Sequence, residues 1–255
     1  SAVPGTSEEV DIEQTSPLLS PQQTSLYRAL TARAIYLAQD RTDITFTAKE
    51  LSRQMSAPTE LSWTKLKRLG RYLSQHIRFV NIFAYQKNFS KLSVWSDTDW
   101  AGCKLTRKST CGGVICLGSH ILKSYSTTQS VIAQSSAEAE YYGMTKAASV
   151  GIGIKGMFED FGISLDMNLL TDASAAKSIA MRIGLGKIRH LETSQLWLQS
   201  KAAEGTITVM EIDGKHNISD ALTKHLSGPD MSHHIGMTPA TRSNKPHPNS
   251  LTSTS

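Results

Sequence analysis

Hydrophobic and polar positions follow two periods along the chain. The first is helical. After a polar, acidic stretch at residues 1–21, read as a flexible lead-in, TSLYRALTARAIYLAQ places Leu26, Leu30, Ala34 and Leu37 at helical spacing. DITFTAKELSRQM repeats that spacing with Phe46, Leu51 and Met55, and Asp43 stands where an N-cap belongs. Pro58 stops this element and Thr59 can cap the next. That third helix, ELSWTKLKRLGRYLSQHI, puts Leu66, Leu69 and Leu73 on one face and Lys65, Lys67, Arg68 and Arg71 around the rest.

Near residue 89 the period becomes two. LSVWSD alternates and predicts a strand ending at Asp97, while CGGVICLGS and HILKSYST predict two more, turning near Gly118 and Ser119. SSAEAEYYGMTKAASVGIGIKGMFEDFG predicts a long helix whose glycines loosen its middle. MNLLTD then reads as a strand, SAAKSIAMRI as a helix, HLETSQLWLQSKAAEG as a helix ended by Gly205, TITVMEI as a strand and SDALTKHL as a short last helix. From about Gly228 the chain is rich in Ser, Thr, Pro and His and is expected to be disordered. The predicted plan is a lead-in at 1–21, a helical segment at 22–88, an α/β domain at 89–227 and a tail at 228–255. The order β-β-β-α-β-α-α-β-α within the third part fits a mixed sheet with helices on its faces.

Composition narrows the class. The 255 residues suffice for one large domain or two small ones, and 39% hydrophobic content can build a core. No apolar run approaches the roughly 18 residues a membrane span needs. Three cysteines without metal-ligand spacing predict reduced thiols in an intracellular protein. The chain starts at Ser1 with no signal-peptide pattern, so a fragment of something longer is expected. Net charge is +5 and the pI about 9.1. The distribution matters more: eight acids precede Leu61, whereas from Leu61 to Ala137 there are eleven Lys or Arg and only two acids, Asp97 and Asp99. A basic surface attracts phosphate. A carboxylate kept within one is a candidate Mg²⁺ ligand, because Mg²⁺ prefers hard oxygens and can bridge protein and phosphate.

Four acids stand where a strand ends or a helix begins: Asp97, Glu140, Asp172 and Asp220. Each has a bland reading. Asp97 can be a strand-end surface residue, Asp172 an N-cap, and Asp220 a first-turn acid favoured by the helix dipole. Asp99 lies nearer the loop AGCKLTRKS and can serve a turn. Glu138 and Glu140 compete in one helix. Ser135 and Glu138 make a capping box, and the neighbours of Glu138 are Tyr142, Thr145 and Ser149. Those of Glu140 are Met144, Ala147, Gly151, Ile154 and Phe158, so Glu140 faces the sheet, where a lone carboxylate needs a partner or a metal. Acids at successive element ends of one sheet can converge on one edge and assemble a two-metal site.

WSDTDWAGCKLTRKSTCGGVI, QSVIAQSSAEAEYYG, LLTDASAA, KIRHLE and HNISDALTK, in this order, resemble the ribonuclease H domain of copia-type retrotransposon Pol polyproteins. Residues 25–73 resemble the stretch joining the polymerase to that domain. The resemblance covers roughly residues 26–226. It implies a ribonuclease H-like mixed five-stranded sheet, three antiparallel strands plus parallel strands, flanked by helices. It implies an acidic tetrad that falls on Asp97, Glu140, Asp172 and Asp220, two Mg²⁺ ions (Mn²⁺ as substitute), and hydrolysis of the RNA strand of RNA–DNA hybrids. Implied partners are the hybrid and the reverse transcriptase domain of the same polyprotein, in cytoplasmic retroelement particles or the nucleus, with no membrane. Backbone contacts fall to basic residues, among them Lys65, Arg68, Arg71, Arg107 and Lys108.

The polymerase's paired-Asp motif is absent, so DNA synthesis is not expected. Many ribonucleases H carry a His between the last strand and last helix. His216 holds that place and is either a proton shuttle or a surface residue. His190 in KIRHLE matches the family pattern and reads as structural. His225, His233 and His234 resemble a metal cluster only superficially. The alternatives are a decayed element persisting as a nucleic-acid-binding or structural module, and a related transposase or resolvase fold that cuts DNA. The element order and the HNISDALTK ending disfavour the last.

Overall fold

A computed structural model describes residues 15–87, 89–184 and 196–243, and its first helix, α1 (Pro21–Leu37), begins as a capping box. The Ser20 hydroxyl accepts from the Gln23 amide at 3.3 Å, and the Gln23 side chain accepts from the Ser20 amide at 3.2 Å. The buried face of α1 is Tyr27, Thr31 and Ala34, continued by Ala38 at its C-cap, so it is rotated by about one residue from the leucine stripe expected, leaving Leu26 and Leu37 exposed. Two neighbouring stripes satisfy the same period. Tyr27 wins because its ring fills the core while its hydroxyl donates to the Leu51 carbonyl at 2.8 Å. Asp43 does not cap α2 (Thr45–Ser52), for which Ile44 is the N-cap. Its carboxylate is buried instead, accepting from Arg41 Nε and Nη2 at 3.1 and 2.7 Å and from the Tyr72 hydroxyl at 2.7 Å. Thr59 caps α3 (Glu60–Gln75), whose buried stripe is Ser62, Leu66, Leu69 and Tyr72. After α3 comes the short strand β1 (Arg78–Asn81).

Residues 84–224 form a compact unit of their own. Its elements are β2 (Lys91–Asp99), β3 (Thr110–Leu117), β4 (His120–Thr128), α4 (Ser136–Asp160), β5 (Asp166–Thr171), α5 (Ser174–Met181), α6 (Trp197–Ala203), β6 (Thr208–Glu211) and two 3₁₀ turns, Gly214–His216 and Asp220–Leu222. The sheet order is β4-β3-β2-β5-β6, with β2–β3 and β3–β4 antiparallel and β2–β5 and β5–β6 parallel. This is the α/β, ribonuclease H-like mixed sheet that the resemblance implies. Leu92, Val94, Ile115, Met144, Leu169 and Leu198 form its buried heart. Strand β2 runs two residues past the expected end, because the antiparallel pairing continues to Asp99↔Thr110. Helix α4 is unbroken through its glycines. Gly143 and Gly151 let it lie close on the sheet, since a Cβ on either would collide with Thr98 or with Met167 and Val94. The SDALTKHL segment forms only the 3₁₀ turn Asp220–Leu222 rather than a helix.

Residues up to 83 and from 225 onward form the other unit. There the expected disordered tail is corrected in part: α7 (Gly228–Gly236) and β7 (Ala240–Ser243) are ordered elements. Strand β7 pairs antiparallel with β1, from Arg78↔Ser243 to Asn81↔Ala240. Arg242 donates to the Tyr72 hydroxyl at 3.2 Å and Met231 and Ile235 are buried. Local composition could not reveal a four-residue strand whose partner lies so far back in the chain. The lead-in is also fixed at its end, where Leu19 is buried and Leu18 bridges to Thr59.

Candidate active site

The site begins with strand direction. β2 and β5 are adjacent and parallel, in register at Trp95↔Leu170, so Asp97 and Asp172, each two residues further on, reach the same sheet edge. In open α/β sheets, ligands bind beyond the carboxyl ends of such strands. Asp97 is buried, and the Thr223 hydroxyl donates to its Oδ2 at 2.5 Å. The cross-strand partner of Asp97 is Gly112, where a Cβ would come within 2.8 Å of the Ser219 carbonyl oxygen and of Thr223. Glycine there lets the 219–223 turn settle on the sheet beside Asp97. Asn217 ties this turn down: its Nδ2 donates to the Ser96 carbonyl at 3.0 Å and to Asp172 Oδ1 at 3.4 Å. Asp220 is half-buried, its Oδ1 2.5 Å from Lys224 Nζ. Asp99 belongs to the following turn, where its carbonyl accepts from the Gly102 amide at 3.4 Å and its carboxylate lies over Gly102.

The two glutamates of α4 part ways. Glu138 serves the helix start: its amide donates to Ser135 Oγ at 3.2 Å, and its carboxylate accepts from the Gln134 amide at 2.9 Å and the Tyr142 hydroxyl at 2.8 Å. The capping bond thus goes to the amide one residue before the N-cap. Glu140 faces the sheet and accepts from the Thr98 amide, while its buried Oε2 has no hydrogen-bond partner among the described residues. Gln129 fixes the helix here, donating to the Ala139 carbonyl at 2.8 Å and to Cys111 Sγ at 3.1 Å.

The four acids sense one another. Burial first, and then the charges of Asp97, Asp172 and Asp220, push the Glu140 carboxyl up to about 9. Burial also raises Asp97, to about 6; the Thr223 hydrogen bond works against this, and the charges of Asp220 and Asp172 add to it. A carboxyl whose folded pKa exceeds its unfolded value binds protons more readily when folded. Its contribution to stability is therefore present at low pH and lost as pH rises, from about 4 through 6 for Asp97 and from about 4.5 through 9 for Glu140. In EDTA, stability and with it the melting temperature should fall between pH 5 and pH 8.5, the unfolding free energy by at most about 1.4 kcal/mol per pH unit for each group. Glu140→Gln should flatten this decline. An unchanged slope in thermal melts of the variant would show that Glu140 is not the strained group.

Among the described residues, no three His, Cys, Asp or Glu side chains stand in a ready-made ligand shell. The donors nevertheless fit a hard divalent cation. All are carboxylate oxygens, one is buried without a hydrogen-bond partner among the described residues, and two carboxyls are pushed toward their protonated forms, by burial first and then by neighbouring carboxylates.

Sequence reasoning did not single out Thr223, Asn217 or Lys224 as site residues. The Asp220/Lys224 spacing of four was the available signal. His216 is exposed on its 3₁₀ turn, and His190 lies outside the described residues. His225 packs edge-on against Phe46 at 4.8 Å, and His233 and His234 lie on α7.

Of the basic residues, Arg107 is exposed and Lys108 half-buried in the loop that follows β2, at the same sheet edge as Asp97. In the other unit, Lys67 and Arg71 are exposed, whereas Lys65 and Arg68 are half-buried. Lys65 follows Ser62 by three and precedes Leu69 by four, which places it on the rim of the buried stripe, where it lines a small cavity with Glu50, Gln54 and His225. The solvent-facing charge of α3 is thus Lys67 and Arg71. If the chain binds the hybrid that its resemblance implies, replacing both by Ala should weaken that binding and flatten its salt dependence, by roughly one slope unit for each phosphate that is no longer neutralised. Affinity measured against salt concentration checks this, and identical slopes would make α3 a connector only.

No protein-family model matches the chain. It is similar to two retrovirus-related Pol polyproteins of Arabidopsis thaliana, from transposon RE2 (29% identical over 207 residues) and transposon RE1 (30% identical over 204 residues). Each match takes in 79% of this chain and 14% of the polyprotein. Among solved structures it is similar to the N-terminal ribonuclease H domain of a Mycobacterium tuberculosis protein, at 15% identity and a TM-score of 0.38, covering 58% of this chain and 97% of that one. The chain thus spans about one-seventh of the curated relatives it matches. The ordered motifs, the sheet and these sequence matches agree: the chain is a homologue of the retrovirus-related Pol polyproteins of copia-type transposons.

Proposed function

We propose that this chain hydrolyses the RNA strand of RNA–DNA hybrids within its element's reverse-transcription cycle. The observation that supports the reading is that Asp97 and Asp172 reach the same sheet edge, while the Glu140 carboxyl, raised first by burial, is raised further by the charges of Asp97, Asp172 and Asp220. These four side chains would hold two Mg²⁺ ions, with Mn²⁺ as substitute. Bound there, the metal supplies an activated water and charge stabilisation at the leaving 3′ oxygen.

The chain's own residues do the rest. Asp97, gripped by Thr223, presents a fixed oxygen at the end of the central strand. Glu140 brings an oxygen with no competing hydrogen bond among the described residues. Asn217 orients Asp172 from the 217–223 segment. The raised carboxyls of Asp97 and Glu140 would have to give up their protons to serve as ligands. Arg107 and Lys108, in the loop that follows the Asp97 strand, meet the phosphate backbone, and the 2′-hydroxyls in the hybrid's minor groove distinguish RNA from DNA. Sequence preference is low, because backbone contacts carry no base information. His216 is a proton-shuttle candidate that side-chain exposure allows. The reverse transcriptase domain of the same polyprotein is the expected partner.

The deciding experiment is a Mg²⁺-dependent cleavage assay on RNA–DNA hybrid, duplex DNA and duplex RNA. Cleavage confined to the RNA strand of the hybrid supports the proposal. Cleavage of duplex DNA points to a transposase-like activity, and binding without cleavage to a decayed module.

A further inference from the structure

The residues that follow the last acid hold two members of the cluster in different ways. Thr223 is buried, and its hydroxyl grips Asp97 Oδ2 at 2.5 Å. Lys224, the next residue, reaches back four positions to Asp220, its Nζ 2.5 Å from Oδ1, while its side chain remains 49% exposed. Burial works against its charge, yet Asp220 first, and then Asp97 and Asp99, overcome this and raise its pKa. Lys224 thus brings positive charge to an edge crowded with carboxylates.

We propose that Lys224 is the resident counter-cation of the acid cluster, held on Asp220 when no metal is bound and displaced from it when a divalent cation arrives. The proposal deepens the functional reading above and rests on the acids being metal ligands. The two neighbours divide the work by chemistry. The Thr223 hydroxyl is neutral and leaves the other lone pairs of Asp97 open, so its bond survives metal binding. The Lys224 ammonium occupies the oxygen a cation would take, and it is repelled by a divalent ion nearby. Its half-exposed, flexible stem lets it swing into water, which solvates the ammonium fully. Lys224 is therefore a positioning residue for Asp220 in the metal-free protein and a competitor during loading.

The test is metal binding by the full chain without nucleic acid, with Mn²⁺ as the probe and its free concentration read by electron paramagnetic resonance. An exposed ion pair contributes up to about 1 kcal/mol, so Lys224→Met should bind Mn²⁺ about fivefold more tightly than wild type. Lys224→Arg, which keeps the charge, should bind no more tightly than wild type. The rise in melting temperature on adding Mn²⁺ should be larger for Lys224→Met than for wild type, a comparison that also reports whether the variant folds. Equal or weaker Mn²⁺ binding by folded Lys224→Met overturns the proposal alone. If wild type binds no Mn²⁺, or Asp97→Asn binds it equally well, the metal reading itself falls.

Discussion

Asp97→Asn abolishes Mg²⁺-dependent cleavage of the hybrid while the protein stays folded; this is the largest effect expected. An amide fills nearly the same volume and can still bond the Thr223 hydroxyl, so the turn carrying Thr223 keeps its seat over Gly112. It is a poor ligand for a hard divalent cation, however. Losing one ligand removes several kcal/mol of transition-state stabilisation, a rate loss on the order of a thousandfold or more. Stability in EDTA moves the other way. Asp97 is buried, and its charge is one cause of the raised Glu140 carboxyl, so neutralising it relieves repulsion. The metal-free variant should melt at or above the wild-type temperature. Single-turnover cleavage and thermal melts decide the matter together, and a folded variant that cuts at the wild-type rate would remove Asp97 from the metal site.

The second large effect separates two glutamates only two residues apart. Glu140→Gln should be as inactive as Asp97→Asn, because it replaces the oxygen that has no other partner among the described residues. Glu138→Gln should remain active. Its carboxylate serves the Gln134 amide and the Tyr142 hydroxyl at the start of α4, bonds that a glutamine can partly keep. The expected penalty is about 1 kcal/mol of stability, the usual scale of an N-terminal cap. Parallel rates and denaturant melts test both. Reversed phenotypes would mean that the helix presents its other face.

That choice of face was legible before any fold was known. Met144, Ala147 and Gly151 follow Glu140 at helical spacing, and Ser135 announces a cap that claims Glu138. The alternation that ends in Asp97 likewise predicted a strand, because a half-buried strand must alternate. The helices around Leu66 and Leu69 were equally readable. The face of α1 was not. Leu26, Leu30 and Leu37 make as good a stripe as the one buried, and only the bond from the Tyr27 hydroxyl to the Leu51 carbonyl, together with the packing around it, chose between them. Asp43 misled for a related reason. Its place in the sequence suits a cap, but Arg41 and Tyr72 offered a buried pair of partners, one of them 29 residues away.

By itself the sequence determined the order of β2 to β6 and of the helices between them, the turn at Gly118, the placing of the four acids at or near element ends and the glutamate that faces the sheet. Each of these depends on residues within a few positions of one another: period, cap or turn chemistry. Tertiary structure decided what depends on distant partners. The pairing of β7 with β1 gave order to residues expected to lack it, because a short strand exists only when another chain segment satisfies its backbone groups. The grip of Thr223 on Asp97 joins residues 126 positions apart. It required Gly112 to sit opposite Asp97 and leave room for the turn, a close approach that only the packed sheet defines.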